Sequence, residues 1–193
     1  MRSRSASGKQ SKYYVDCKQA LSDPEARMLI GKLIFALIRE ERFDSIGGLE
    51  LGAYPIATSV SDTIFRETHS IVRAFVIRKV PKTHGVMDLI AGHVECSDRT
   101  LIVDDVVTTG GSTIQAIQSA REAGLEVDRA IVLVDREEDS GRKRIEAEGV
   151  KFEALLTLSE LRELNNDSAT DTDTRAHRER LVHDQSGRTF VSR

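Results

Sequence analysis

Paired cysteine, a long apolar run and an excess of positive charge are all missing from this chain of 193 residues. Each absence removes a class of protein. Its two cysteines, Cys17 and Cys96, lie far apart and in no metal-ligand spacing, which excludes a disulfide framework. They read as buried or indifferent thiols in a reducing compartment. The most apolar stretch, Met28 to Ile38, is interrupted by Lys32 and is too short to span a bilayer. Residues 1–12 are basic and polar without an apolar segment, so they do not read as a secretory signal. Net charge is −3, so no global basic field invites nucleic acid or an anionic membrane. The expectation is a cytoplasmic protein with neither of those partners, in which any anionic ligand is held by a local constellation.

What is present is the composition of one globular domain, with 39% hydrophobic and 31% charged residues and length enough for a sizeable core. Ser22-Asp23-Pro24-Glu25 carries a Ser-x-x-Glu capping box with proline in the first turn, and predicts a helix to about Arg42. Met28–Ile38 within it is apolar nearly all round, which predicts burial on more than one side, against a sheet and a subunit partner. A short strand follows at Ser45–Gly47, then the loop Gly48–Ala53 and a helix over Pro55–Phe65. Ile71–Ile77 reads as a strand, and Arg78–Gly85 as a polar loop. Leu101–Val103 and Ala130–Val134 are compact apolar runs, as expected of strands covered on both faces. Helices are expected over Ser112–Ala123, stopping at Gly124, and over Arg142–Glu148, stopping at Gly149, with a last strand over Phe152–Leu156. This alternation predicts an α/β fold, a Rossmann-like parallel sheet flanked by helices. Residues 1–164 form the expected single domain. Residues 165–193 form a tail, and its stretch Asn165–Arg180, with almost nothing apolar, predicts mobility.

The most informative segment is Leu101-Ile102-Val103-Asp104-Asp105-Val106-Val107-Thr108-Thr109-Gly110-Gly111-Ser112. An apolar strand delivers two carboxylates, and a Thr/Gly/Ser loop then opens a helix. Unpaired backbone N–H groups, hydroxyls and a helix N-terminus gather there around one point, which makes an anion site. Asp104 and Asp105 suit a ribose diol, or a magnesium ion held mostly through waters. A Gly-Lys-Ser/Thr P-loop and a Gly-x-Gly-x-x-Gly dinucleotide loop are both absent. In isolation an Asp pair beside a Thr-Gly turn does no more than cap a helix. The complete run in one strand–loop–helix context argues for a site.

This run resembles the phosphoribosyl-pyrophosphate signature of type I phosphoribosyltransferases. In that family the two acids face the ribose hydroxyls and the Thr/Gly/Ser loop holds the 5′-phosphate. The resemblance therefore assigns Asp104, Asp105, Val106, Val107, Thr108, Thr109, Gly110, Gly111 and Ser112 to phosphoribosyl-pyrophosphate binding. A second motif, Arg78-Lys79-x-x-Lys82-x-His84-Gly85, is similar to the mobile catalytic loop of orotate phosphoribosyltransferases. Cations and a titratable imidazole on one flexible loop can close over a pyrophosphate and neutralise its charge as it departs. Arg78, Lys79, Lys82 and His84 are the expected pyrophosphate contacts. Lys82, His84 and Asp105 are the expected catalytic residues, Asp105 as an acid/base group. In the family the lysine matching Lys82 reaches the partner subunit's site, so a homodimer is implied.

Smaller matches point the same way. Val134-Asp135-Arg136 closes a strand where the family sets an arginine against the orotate carboxylate, and Arg136 with Thr108 is expected to contact orotate. Ser7–Asp16 resembles the segment covering the base, so residues 1–21 are expected to form a small N-terminal hood. Gly48-Leu49-Glu50-Leu51-Gly52-Ala53-Tyr54-Pro55 resembles the pyrophosphate loop before a helix. The resemblance spans about residues 6 to 160. It implies transfer of phosphoribosyl from phosphoribosyl pyrophosphate to orotate, in pyrimidine (UMP) synthesis, with Mg2+ bound through the substrate and waters and no protein ligand assigned to it. Two alternatives remain. A transferase for a purine or uracil would lack the Lys-x-x-Lys-x-His loop and the base-facing arginine. A non-catalytic sensor of phosphoribosyl pyrophosphate would keep the phosphate signature and lose the loop cations.

Overall fold

A computed structural model describes residues 15–79 and 89–164 of the chain. Its helices include α1 (Cys17–Ser22), α2 (Pro24–Ile38), α3 (Ala53–Thr68), α4 (Gly111–Glu122) and α5 (Gly141–Glu146), and residues 158–164 are also helical. The strands are β1 (Ser45–Gly47), β2 (Arg73–Ala74), β3 (Val76–Ile77), β4 (Ile90–Ala91), β5 (Arg99–Val107), β6 (Glu126–Asp135) and β7 (Lys151–Thr157). Five of the strands make a parallel sheet in the order β2-β1-β5-β6-β7. β3 and β4 form a separate antiparallel ribbon.

Side chains alternate across a strand, so the central strands feed two cores. Leu101, Val103, Ile131 and Leu133 pack with α1, α2 and α3 on one face. Ile102, Ala130 and Val132 pack with α4 and α5 on the other. The expected apolar runs are thus covered on both sides, and the strands extend beyond them to the polar residues at each end. From β1 the chain crosses through α3 to β2 on one side, and from β5 through α4 to β6 and β7 on the other. The strand order therefore reverses between β1 and β5. In open α/β sheets the crevice at the carboxyl ends of such a pair is where ligands bind.

Two local expectations are corrected. The helix start lies one residue later than the capping box implied. Ser22 closes the last turn of α1, its Oγ donating to the Gln19 carbonyl at 2.7 Å. Asp23 caps α2 instead, accepting from the N–H groups of Glu25 and Ala26 at 2.8 and 3.0 Å, with Pro24 in the first turn. Ile71–Ile77 is not one strand. Phe75 is fully buried, and its ring fills the space left beside Gly47, so the chain passes from β2 in the main sheet to β3 in the ribbon. Helix α2 buries Gly31, Ile34 and Ile38, but Met28, Leu29, Leu33 and Leu37 are exposed in the single chain. Its second apolar side is not covered by the chain's own sheet.

Candidate active site at the carboxyl ends of the central strands

The same alternation that builds two cores sends the paired acids of β5 to opposite faces. Asp104 turns toward α4. Its Oδ2 accepts from the hydroxyls of Ser112 and Thr113, both at 2.9 Å, and its Oδ1 from the Asp105 N–H at 3.0 Å. Only 5% exposed, its carboxyl is pushed up to about 6, first by burial and then by the neighbouring Asp105 charge, against which the three hydrogen bonds pull. Asp105 turns to the other face, where its carboxylate abuts Gly52. A Cβ built on Gly52 would meet the Asp105 Cγ at 2.5 Å, so a larger residue here would displace the Asp105 carboxylate.

Beyond Val107 the chain makes the tight loop Thr108–Gly110 and enters α4. Gly110 takes φ of +77° at the N-cap, a conformation that glycine supplies without strain. The first amides of α4 lie at the helix N-terminus, beyond the reach of its own carbonyls, beside the Ser112 hydroxyl. α5 supports this loop from behind. Gly141 packs so closely on the Thr108 carbonyl that a side chain there would clash, and the Arg144 guanidinium donates to the Thr109 carbonyl at 2.7 Å. The loop 108–110 is thereby braced by residues more than thirty positions away in sequence.

A second loop enters from β1. Gly48 lies against the Val103 carbonyl, and the peptide bond between Glu50 and Leu51 is cis. This loop is laced to β3: Ile77 N–H donates to the Gly48 carbonyl at 2.8 Å and Glu50 N–H to the Ile77 carbonyl at 2.9 Å. The Glu50 carboxylate then accepts from the Lys79 N–H at 2.9 Å. Arg78 N–H donates to the Leu89 carbonyl at 2.8 Å, closing the base of the excursion between β3 and β4. Arg78 and Lys79 therefore stand at the root of the basic loop, joined to the loop 48–52. Lys82 and His84, the remaining members of that motif, lie outside the described residues, as do residues 1–14 of the expected hood and the tail 165–193.

Arg136 follows the last residue of β6, and its N–H donates to the Val107 carbonyl at 2.9 Å, which sets it beside Thr108. Its guanidinium, 11% exposed, pairs with Glu138 at 3.0 Å. Asp135 is buried and receives Arg142 of α5 at 3.1 Å. On the opposite side Cys17 of α1 is buried near Asp105. Its thiol is pushed up to about 11 by burial, then by the charges of Asp105 and Asp16. Cys96 is exposed. The structure thus brings together Asp104 through Ser112, Arg136 and the root residues Arg78 and Lys79. Glu50 and Gly52 lie in the Gly48–Pro55 loop that the sequence singles out, whereas sequence reasoning passes over Thr113, Glu138, Gly141 and Arg144. Of these, only Thr113, adjoining the Ser112 run, carries a local signal.

The phosphoribosyl transferase domain family matches residues 17–154. The orotate phosphoribosyltransferase of Aquifex aeolicus is 46% identical over 156 residues, covering 81% of this chain and 84% of that one. That of Pyrococcus horikoshii is 44% identical over 157 residues, covering 80% and 81%. Among solved structures, Mycobacterium tuberculosis orotate phosphoribosyltransferase in complex with phosphoribosyl pyrophosphate superposes with a TM-score of 0.68 at 34% identity, covering 83% of this chain and 89% of that one. The chain belongs to the phosphoribosyltransferase family. Within it, the relatives just described are orotate phosphoribosyltransferases.

Proposed function

We propose that this chain transfers the phosphoribosyl group from phosphoribosyl pyrophosphate to orotate, giving orotidine monophosphate and pyrophosphate, a step of UMP synthesis. One observation carries the reading: a braced anion loop at Thr108–Ser112 and a largely buried guanidinium at Arg136 share one edge of the sheet. The first suits a phosphate, and the second a planar carboxylate taken two-pronged. Purines and uracil carry no carboxylate for Arg136 to read, and a bare sensor has no use for a base-reading cation.

In this reading the amides of Thr108, Thr109, Gly110, Gly111 and Ser112 hold the 5′-phosphate, with Val106 and Val107 delivering the strand to the loop. Asp104 and Asp105 take the ribose hydroxyls, Asp104 from the α4 side and Asp105 from the side of the 48–52 loop. As positive charge develops at the ribose C1, their carboxylates lie on the side that favours it. Asp105 is the candidate acid/base group. Arg78, Lys79, Lys82 and His84 neutralise the departing pyrophosphate as their loop closes. Thr108 and Arg136 orient orotate.

The donor set fits magnesium. Asp104 and Asp105 offer hard carboxylate oxygens, and among the described residues no three His, Cys, Asp or Glu side chains gather as a closed metal cage. Because the two carboxylates turn to opposite faces, such an ion would be held mainly by substrate oxygens and waters, with a carboxylate reaching it through water. Bound there, the ion supplies positive charge against the pyrophosphate. The apolar stripe of Met28, Leu29, Leu33 and Leu37 on α2 supports a homodimer, because an exposed row of this kind is costly in a monomer. Among the described residues no helix is long and apolar enough to cross a membrane. With its composition, this supports work in the cytoplasm.

The test is pyrophosphate release from phosphoribosyl pyrophosphate and magnesium with orotate, uracil, hypoxanthine and adenine supplied separately. Release with orotate alone is expected. Release with another base overturns Arg136 as the selector. Binding of phosphoribosyl pyrophosphate without release on any base favours the sensor.

A further inference from the structure

The segment after β6 is held in an unusual shape. Glu137, Asp139 and Ser140 take left-handed φ of 56°, 50° and 57°, a conformation that costs free energy in residues other than glycine. Neighbouring contacts hold it there. Asp135 Oδ1 accepts from the Glu137 N–H at 2.9 Å. The Glu137 carboxylate in turn receives both the N–H and the hydroxyl of Ser159, at 3.0 and 2.5 Å. The Gly141 N–H donates to the Glu138 carbonyl at 3.1 Å. The outcome of this bracing is one placement: the Glu138 carboxylate lies 3.0 Å from the Arg136 guanidinium, and it is 32% exposed on its side chain.

We propose that Glu138 is a specificity-determining residue of the base site, holding the Arg136 guanidinium at the sheet edge and competing with the carboxylate of the incoming base. The inference rests on Arg136 reading that carboxylate. A guanidinium accommodates a second carboxylate only beside the first, and two like charges at one cation repel each other. Orotate, as an anion, can take the cation over. An uncharged base has nothing to exchange for Glu138 and leaves the pair closed. Glu138 thus lowers the affinity for orotate and keeps the site closed to neutral bases. A pair formed only to brace the surface would not touch substrate affinity.

The test uses the full chain with Glu138→Gln and Arg136→Lys, measuring KM for orotate and for phosphoribosyl pyrophosphate at two salt concentrations. Gln keeps an oxygen for the guanidinium and removes the competing charge. The orotate KM is expected to fall about two- to fivefold in Glu138→Gln, less so at high salt, with the phosphoribosyl-pyrophosphate KM unmoved. Arg136→Lys, which loses the planar fork, is expected to raise the orotate KM. An orotate KM unchanged or raised in Glu138→Gln, with Arg136→Lys still impaired, overturns the role of Glu138 and leaves that of Arg136. An Arg136→Lys variant with unaltered orotate KM overturns both.

Discussion

Arg129 and Asp104 occupy neighbouring central strands and are buried almost equally, 2% and 5% exposed, yet their charges are met in different ways. Arg129, in the amino-terminal half of β6, is clasped by Glu41 at 2.5 Å and Glu153 at 2.6 Å. Arg99 nearby pairs with Glu41 and Asp128 and covers the Phe43 ring, and Arg73 pairs with Asp98. At this end of the sheet each of these cations meets carboxylates of the chain, although the buried Arg129 Nε finds no acceptor among the described residues. At the carboxyl end of β5, Asp104 is met among the described residues by two hydroxyls and one amide, with the like charge of Asp105 next in sequence. A buried carboxylate in such company is a cost to the fold, and the cost falls where a polyhydroxylated, cation-carrying ligand would relieve it. The contrast separates residues whose charge is met within the fold from residues that the proposed function sets against substrate.

The strongest way to break the comparison is at Arg129. Arg129→Ala empties a buried side-chain site, leaves Glu153 without this cation and Glu41 with Arg99, and is expected to cost about 2–4 kcal/mol. For a domain of this size the thermal midpoint should fall by roughly 4–16 °C. Turnover measured well below the midpoint should survive. A large loss of turnover with an unchanged midpoint would place Arg129 in function and dissolve the distinction. The reverse pattern is expected of Lys82→Ala: turnover down by about a hundredfold or more with the melting curve in place. Wild-type turnover in that variant would remove the basic loop from the mechanism. Asp104→Asn ranks third, with a higher KM for phosphoribosyl pyrophosphate read from initial rates. An unaltered KM would exclude Asp104 from the ribose contacts.

The parts of this division that are local in sequence are legible from the residues alone. β5 and β6 declare themselves because strands covered on both faces need unbroken apolar runs, and the Asp-Asp, Thr-Thr, Gly-Gly, Ser succession encodes a strand end, a loop and a helix start within nine residues, 104 to 112. What is illegible depends on tertiary context. The choice of Asp23 over Ser22 as helix cap turns on α1, a helix of 6 residues with no strong periodicity of its own. The break at Phe75 turns on a space made by Gly47, nearly thirty residues earlier. The brace from Gly141 and Arg144 to the loop 108–110, and the clasp of Arg129 by Glu41, join positions that no pattern in the intervening sequence relates. Even the β5 carboxylates, plain as a pair, owe their separate surroundings to partners on α4 and in the 48–52 loop that the pair itself does not name.

The unequal treatment of charge at the two ends of the sheet is tested most directly by the melting of Asp104→Asn against the wild type across pH, without ligand. A carboxyl raised from an ordinary value near 3.8 to about 6 by folding penalises the folded state above that window and not below it. Asn removes the penalty and its side-chain oxygen still accepts from the two hydroxyls, while the Asp105 N–H loses its acceptor at every pH. The variant should therefore melt several degrees higher than the wild type at pH 8, and the gap should close as pH falls through about 6 toward 4. A variant that melts below the wild type at pH 8 would mean that the Asp104 charge stabilises the fold, and that the carboxyl end of the sheet is as self-sufficient as the amino end.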